Sequence, residues 1–222
     1  MYGRLAQRNW PLPGSAPLDS SSLSSSFSSF FALLARHGSP QLQKASAELK
    51  QEGEQTWAGL LLDYWQGSNG KLDASREFTC RAFLQPVAEL SRDIAKLLLK
   101  DYSEPLCPYC GRRPGVAILR PEGEGGKRFL QCSFCLAEWS FRRILCPSCG
   151  EEDNLKLPVY TADDFDYVRV EACDTCKGYI KSIDLTKNGR AEPVVDEIAA
   201  AALDLWARDH GYTKIELNLM GM

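Results

Sequence analysis

Eight of the nine cysteines in this 222-residue chain form four C-x-x-C pairs. They are Cys107/Cys110, Cys132/Cys135, Cys146/Cys149 and Cys173/Cys176. Two such pairs supply the four sulfurs of one tetrahedral metal site, so four pairs predict two sites. Thiolate cages select zinc or iron, both of which accept four sulfurs.

Spacing suggests how the pairs combine. Residues 111–131 (21 residues) separate the first pair from the second, and residues 150–172 (23 residues) separate the third from the fourth. Only the ten residues 136–145 lie between the second and third pairs. Two tandem units of about 40 residues follow, the kind of internal repeat that sets a fold. The simplest grouping is sequential: Cys107, Cys110, Cys132 and Cys135, then Cys146, Cys149, Cys173 and Cys176. A cross-braced grouping, first pair with third and second with fourth, stays open at this level.

The residues around the cysteines favour metal over disulfide. In Cys107-Pro-Tyr-Cys110-Gly111 and Cys146-Pro-Ser-Cys149-Gly150, proline presets the backbone after the first cysteine. Glycine after the second can take a positive φ, which turns backbone N–H groups toward the sulfurs. Such N–H···S contacts stabilise thiolates. A disulfide framework belongs to oxidising compartments, and no secretory signal is read at the N-terminus. A thioredoxin-like redox pair needs a single C-x-x-C opening a helix, not four in repeat.

Ahead of the cysteines the chain reads as helical. Residues 1–19, with Pro11, Pro13, Gly14 and Pro17, are expected to form an irregular arm. Leu23, Phe27, Phe30, Phe31 and Leu34 share one helical face despite the serines around them; a serine linker is the alternative. A second helical stretch is expected over 40–66, weakened by Gly53 and Gly59, then a turn at 67–70. A third runs over 73–100, where Pro86 either kinks it or starts a fresh segment. Residues 20–102 are therefore expected to form a helical domain. Cys80 within it is read as a small buried apolar residue.

From residue 103 the pattern changes to strands. Residues 115–119 and 127–131 read as a hairpin that delivers Cys132. Residues 155–160 and 167–171 repeat the plan and deliver Cys173, and 179–184 continue it. These are rubredoxin-like or zinc-ribbon units, expected over 103–142 and 143–190. Chains of about 40 residues bury too little apolar surface to fold alone, so metal carries much of their stability. Trp139, Phe141 and Ile144 are expected to fill the seam between them. Residues 191–222 are expected to hold a last helix over 192–210 and a tail, with Val195, Ile198, Ala199, Ala202, Leu205 and Trp206 facing inward and Gly211 ending the helix. The fold class is α+β: a helical N-terminal domain, two tandem metal units and a C-terminal helix.

The string CPYCG…CSFCLAEW…RILCPSCG…VRVEACDTCKGYIKSID…PVVDEIAAAALDLWARDHGY resembles the formate dehydrogenase accessory protein family, FdhE. The resemblance covers 105–212, and RAFLQPVAEL at 81–90 looks like the family's helical segment. It implies a cytoplasmic assembly factor that binds the catalytic subunit of a molybdenum or tungsten formate dehydrogenase and is needed for its maturation or activity. It implies the eight paired cysteines as ligands of two metal ions, and a protein that is not itself an enzyme.

Two other functions compete. A nucleic-acid-binding zinc ribbon needs a basic stripe, but residues 101–182 hold 11 Lys and Arg against 13 Asp and Glu. The acidic cluster Asp163, Asp164 and Asp166 would repel phosphate. A rubredoxin-like one-electron carrier needs an iron site whose potential is tuned by hydrogen bonds and exposure. Catalysis is disfavoured: His37 and His210 lie far from the cysteines in sequence, and four sulfurs leave a metal no open position. No apolar run reaches the length of a bilayer span. Association with further copies of the chain stays open.

Overall fold

In the computed structural model, residues 20–67, 72–95, 102–123 and 125–222 are described. The expected arm at 1–19, most of the turn at 67–70, and Leu97 and Leu98 of the third helical stretch fall outside them. The chain divides into two compact units, Met1–Lys96 and Leu97–Met222.

Among the described residues, the first unit is a set of four α-helices: α1 (Ser20–His37), α2 (Pro40–Glu52), α3 (Glu54–Gln66) and α4 (Ala74–Ala95). The serine-rich stretch is a helix because its aromatic residues bury one face. Phe27 is 0% exposed and Phe31 2%, and Phe27 packs on Phe31, with ring centroids 4.5 Å apart, and on Phe83 at 4.7 Å. Tertiary burial outweighs the middling helix propensity of serine. The stretch over 40–66 is two helices. Gly53, at φ 85°, breaks them where a side chain would be strained. The Ser39 hydroxyl caps α2 through the Leu42 N–H, and the Asp73 carboxylate accepts from the N–H groups of Ser75 and Arg76 at the start of α4. Helix α4 runs through Pro86 without ending, at the cost of one backbone donor. Cys80 is fully buried, while Leu90 and Ile94 are exposed.

Among the described residues, the second unit is one seven-stranded sheet with two short α-helices. Its strands are β1 (Pro114–Glu122), β2 (Gly125–Cys132), β3 (Glu138–Ser140), β4 (Val159–Thr161), β5 (Val168–Ala172), β6 (Gly178–Asp184) and β7 (Thr213–Lys214). The order is β3-β2-β1-β6-β5-β4, with β7 beside β6. Each metal unit contributes three strands. The first strand of one joins the third strand of the other in parallel, Ile118 opposite Ile183 and Leu119 opposite Asp184. The strand expected over 155–160 begins later. Asn154–Lys156 is a 3-10 turn capped by Asp153, and β4 starts at Val159.

Side chains alternate across the sheet. Val116, Ile118, Val168, Val170, Ala172, Tyr179 and Ile183 form the core on one face, against Ala200, Leu203 and Ala207. Trp139 and Phe141 are buried as expected of a seam, but Ile144 is 51% exposed. The last helix is two: α5 (Pro193–Ala199) and α6 (Ala201–Asp209), broken at Ala200. Its expected inward face is wrong in detail. Val195 and Leu205 are exposed, Ala199 and Ala202 are exposed, and Ile198 and Trp206 are half-buried. Glu197 and Asp204 are buried instead. No described helix is long and apolar enough to cross a membrane.

The buried acids explain the rotation. Lys181 on β6 is 0% exposed, and its Nζ lies 2.6 Å from Asp204 Oδ2 and 3.0 Å from Glu197 Oε1. Lys214 Nζ lies 3.0 Å from Asp204 Oδ1 and also contacts Glu197. Tyr179 donates to Asp204 at 2.8 Å, and the Asn218 amide donates to Glu197 at 3.0 Å. Two cations thus meet two anions, and buried charges persist only in such paired, hydrogen-bonded sets. Asn218 also accepts from the N–H groups of Met220 and Met222, which ties the tail to the same cluster.

Candidate metal centres

The four C-x-x-C turns are built alike. In the first, the Cys107 N–H donates to Arg112 O at 2.8 Å and the Gly111 N–H to Cys107 O at 2.9 Å. In the third, the Cys146 N–H donates to Glu151 O at 2.9 Å and the Gly150 N–H to Cys146 O at 3.0 Å. In the second and fourth, the N–H of Cys132 and of Cys173 bonds the carbonyl five residues on, Ala137 and Gly178, each at 2.9 Å. The residue after each second cysteine is left-handed: Gly111 at φ 65°, Leu136 at 55°, Gly150 at 79° and Lys177 at 56°. Glycine adopts this conformation freely, whereas Leu136 and Lys177 adopt it under strain. That strain at two non-glycine residues escaped the sequence reading, which saw only the glycines.

These turns bring the sulfurs together in two groups, Cys107, Cys110, Cys132 and Cys135, and Cys146, Cys149, Cys173 and Cys176. Within each group the sulfurs lie within 4.8 Å of one another. Cys107 Sγ is 3.5 Å from Cys135 Sγ, and Cys110 Sγ is 3.2 Å from Cys132 Sγ. In the second group, Cys146 and Cys176 are 3.8 Å apart and Cys149 and Cys173 are 3.6 Å apart. No pair is bonded. Four sulfurs around one zinc, each about 2.3 Å from it, stand about 3.8 Å apart, so each group can hold one ion. The grouping is the sequential one, because each hairpin returns its second pair beside its first.

The surroundings favour a cation. Burial is the largest influence on these thiols, and it pushes Cys107, Cys110, Cys146 and Cys149 above the usual thiol value. Against the same burial, neighbouring sulfurs and the Phe134 N–H, 3.3 Å away, draw Cys132 down. The Gly178 N–H, 3.4 Å from Cys176 Sγ, and then the other sulfurs draw Cys176 down. Four crowded sulfurs cannot all ionise without a positive charge among them, and a divalent cation supplies it. Zinc and iron both satisfy this donor set.

The two groups differ in exposure. All four sulfurs of the first are on buried residues, while Cys149 and Cys176 of the second are exposed. Glu151 braces the second group. Its carboxylate accepts from Thr175 Oγ1 at 2.5 Å and from the N–H groups of Asp153 and Glu152, which joins the third turn to the fourth. The Thr175 hydrogen bond, then the N–H of Asp153, hold Glu151 down at about 2.

A buried arginine joins the two metal units. Arg128 on β2 is 3% exposed and donates to the carbonyls of Arg142 at 2.9 Å and Leu145 at 3.3 Å. Its Nη2 lies 2.7 Å from Glu171 Oε2 on β5. One side chain therefore holds the first unit, the ten-residue link and the second unit. Arginine in a strand of alternating pattern gives no sequence signal for this. Lys181 does: it lies between Tyr179 and Ile183 on one face of its strand, a position where a cation must find buried partners.

Comparison with known proteins places these features in context. The family models described as "FdhE, central domain" and "FdhE, C-terminal domain" match residues 106–143 and 144–220. The chain is 34% identical over 190 residues to a protein of Aquifex aeolicus called "Protein FdhE homolog", an alignment covering 85% of this chain and 66% of that one. It is 35% identical over 131 residues to a "Protein FdhE homolog" of Pseudomonas aeruginosa, covering 55% and 41% of the two chains. It is also similar to the crystal structure of the FdhE protein from Pseudomonas aeruginosa, with a TM-score of 0.68, 25% identity, and coverage of 97% of this chain and 82% of that chain. The matched stretches span two thirds or less of those two curated relatives.

Proposed function

The chain belongs to the FdhE family, and from that premise we propose that it is an accessory protein for formate dehydrogenase. In this reading it binds the catalytic subunit in the cytoplasm, is needed for that enzyme's maturation or activity, and catalyses no reaction itself. Cys107, Cys110, Cys132 and Cys135 ligate one metal ion, and Cys146, Cys149, Cys173 and Cys176 another. The observation that carries the reading is the pair of four-sulfur cages in one continuous sheet. An ion held by four sulfurs has no position left for a substrate, and such an ion fixes the turns that begin and end each hairpin. That chemistry suits a scaffold for a partner protein.

The test is genetic and biochemical. The tagged chain is expected to co-purify with the formate dehydrogenase catalytic subunit of its host. Cys107→Ser and Cys173→Ser are each expected to lose one ion and to lower formate dehydrogenase activity in extracts. Normal activity in a strain lacking the chain would sink the proposal.

The exposed edge of the second cage favours a second reading, one-electron transfer by iron. Exposure and N–H···S bonds set the potential of such a site, and Cys149 and Cys176 face solvent. Zinc in protein purified without oxygen would end that reading.

A further inference from the structure

On the sheet face opposite α5 and α6, a cleft of about 210 Å³ lies where the two metal units join. Leu119, Ile180 and Glu171 form part of its floor, and the link carrying Arg143, Ile144 and Leu145 lines it as well. It also reaches Cys146 and Cys173 of the second cage.

Three arginines line the cleft, Arg128, Arg143 and Arg169, against one carboxylate, Glu171. Glu171 is already bound to Arg128. Arg169 has a distant ion pair, 3.5 Å from Asp184, and its Nε is occluded without a hydrogen-bond partner, as is the Nε of the 3% exposed Arg128. Arg142 is paired with Glu152 at 2.8 Å, whereas its neighbour Arg143 is exposed and has no ion pair among the described residues. The occluded Nε atoms are out of a ligand's reach, so the cleft's accessible cationic capacity is the exposed guanidinium of Arg143, supported by the loosely paired Arg169. Its rim is apolar: Ile144 is 51% exposed and Val159 is 53% exposed. The volume is below the roughly 300–1,000 Å³ of small-molecule pockets, which suits one or two side chains of a larger partner.

We propose that this cleft docks an acidic, partly apolar segment of a partner protein. A carboxylate of the segment meets Arg143 and Arg169, and a neighbouring apolar side chain covers Ile144 and Val159. The identity of the partner rests on the function proposed above; the chemistry of the segment rests on the cleft. Charge complementarity of this kind sets partner choice and encounter rate. Arg128 is committed to joining the two units and is a positioning residue.

The experiment uses the full chain with its metal. A photo-crosslinking benzoylphenylalanine is placed at Ile144 and, as a control on the helical face, at Val195. The crosslinked formate dehydrogenase catalytic subunit is mapped by mass spectrometry. The expected result is a crosslink from position 144, not 195, to a segment rich in Asp and Glu. Arg143→Glu is expected to cut capture of the subunit about tenfold, by like-charge repulsion, with both ions retained. If the subunit co-purifies but position 144 gives no crosslink, crosslinks to a segment without acids, or Arg143→Glu captures it normally, the docking site is overturned and the proposed function stands. If the subunit does not co-purify at all, both are overturned.

Discussion

Replacing Lys181 with methionine tests whether the buried charge cluster holds the C-terminal helices on the sheet. Methionine keeps most of the side-chain length and removes the ammonium. Lys181 Nζ contacts Asp204 at 2.6 Å and Glu197 at 3.0 Å, and donates to Ala200 O at 3.2 Å and to Glu197 O. Without it, two carboxylates face the single ammonium of Lys214, and two backbone carbonyls lose a buried donor. Removing one partner of a buried ion pair costs about 3–5 kcal/mol. Lys214 still touches both carboxylates, which puts the cost near the low end, about 3 kcal/mol. That is roughly a hundredfold in the folded-to-unfolded ratio, at about 1.4 kcal/mol per decade. Because the chain has two compact units, a whole-chain melt mixes two events. Native-state hydrogen exchange of the β5 and β6 amides reads the second unit alone. The double variant Lys181→Met/Asp204→Asn restores one cation to one anion and keeps an acceptor for Tyr179. It is expected to recover at least about 1 kcal/mol relative to Lys181→Met, since neighbours in one network do not add. A loss under about 1 kcal/mol in the single variant, or a double variant as unstable as the sum of its parts, would refute charge balance as the cause.

Chelator should release metal in two phases, the faster from the group containing exposed Cys149 and Cys176; a single phase, or loss of the slow phase in Cys149→Ser, contradicts that order. Gly150→Ala places a side chain at φ 79° and is expected to cost about 1–2 kcal/mol, read by hydrogen exchange in the second unit. Lys177→Gly relieves the strain at φ 56° and gives up an exposed ion pair with Asp174 and a cation–π contact with Tyr212; strain relief is expected to outweigh these exposed contacts, with a net gain of about 0.5 kcal/mol by the same measurement. Burial, then the hydrogen bond to Asp204, push the Tyr179 phenol well above its ordinary value of 10.0. A raised value means that its contribution to stability is complete below pH 10 and is lost as pH rises toward the folded-state value. Phenolate absorbance of the folded protein at pH 11 should therefore equal that of Tyr179→Phe; a smaller absorbance change in Tyr179→Phe than in the unchanged protein would contradict it.

Local features were legible from residue order. Two hairpins ending on Cys132 and Cys173 followed from turn residues and alternation, and β1, β2, β5 and β6 lie where that pattern puts them within a few residues. The helical face of Phe27, Phe31 and Leu34 was legible for the same reason, since a 3.6-residue period shows even through serine. Other features were not. Gly53 and Ala200 break two expected helices by local backbone geometry that periodicity averages over. The stretch at 155–160 reads as a strand by composition, but Asp153 caps a 3-10 turn there first. Val195 and Leu205 look inward on hydrophobicity alone and are exposed, because the face that packs is chosen by Glu197 and Asp204 finding Lys181 and Lys214.

By itself the sequence determined the two cages. Each C-x-x-C turn closes within six residues through its own backbone hydrogen bonds, and a hairpin brings two turns together, so spacing and glycine placement are enough. Tertiary structure decided how the cages are joined and what their surface offers. The parallel pairing of β1 with β6, the Arg128 clamp on Glu171, and the Lys181 cluster link residues some 10 to 65 positions apart. Such contacts depend on burial in a low-dielectric interior, where a charge must find its opposite wherever the chain has placed it. The same assembly opens the arginine-lined cleft at the junction, because only the joined sheet sets Arg143 and Arg169, 26 residues apart in sequence, around one cavity.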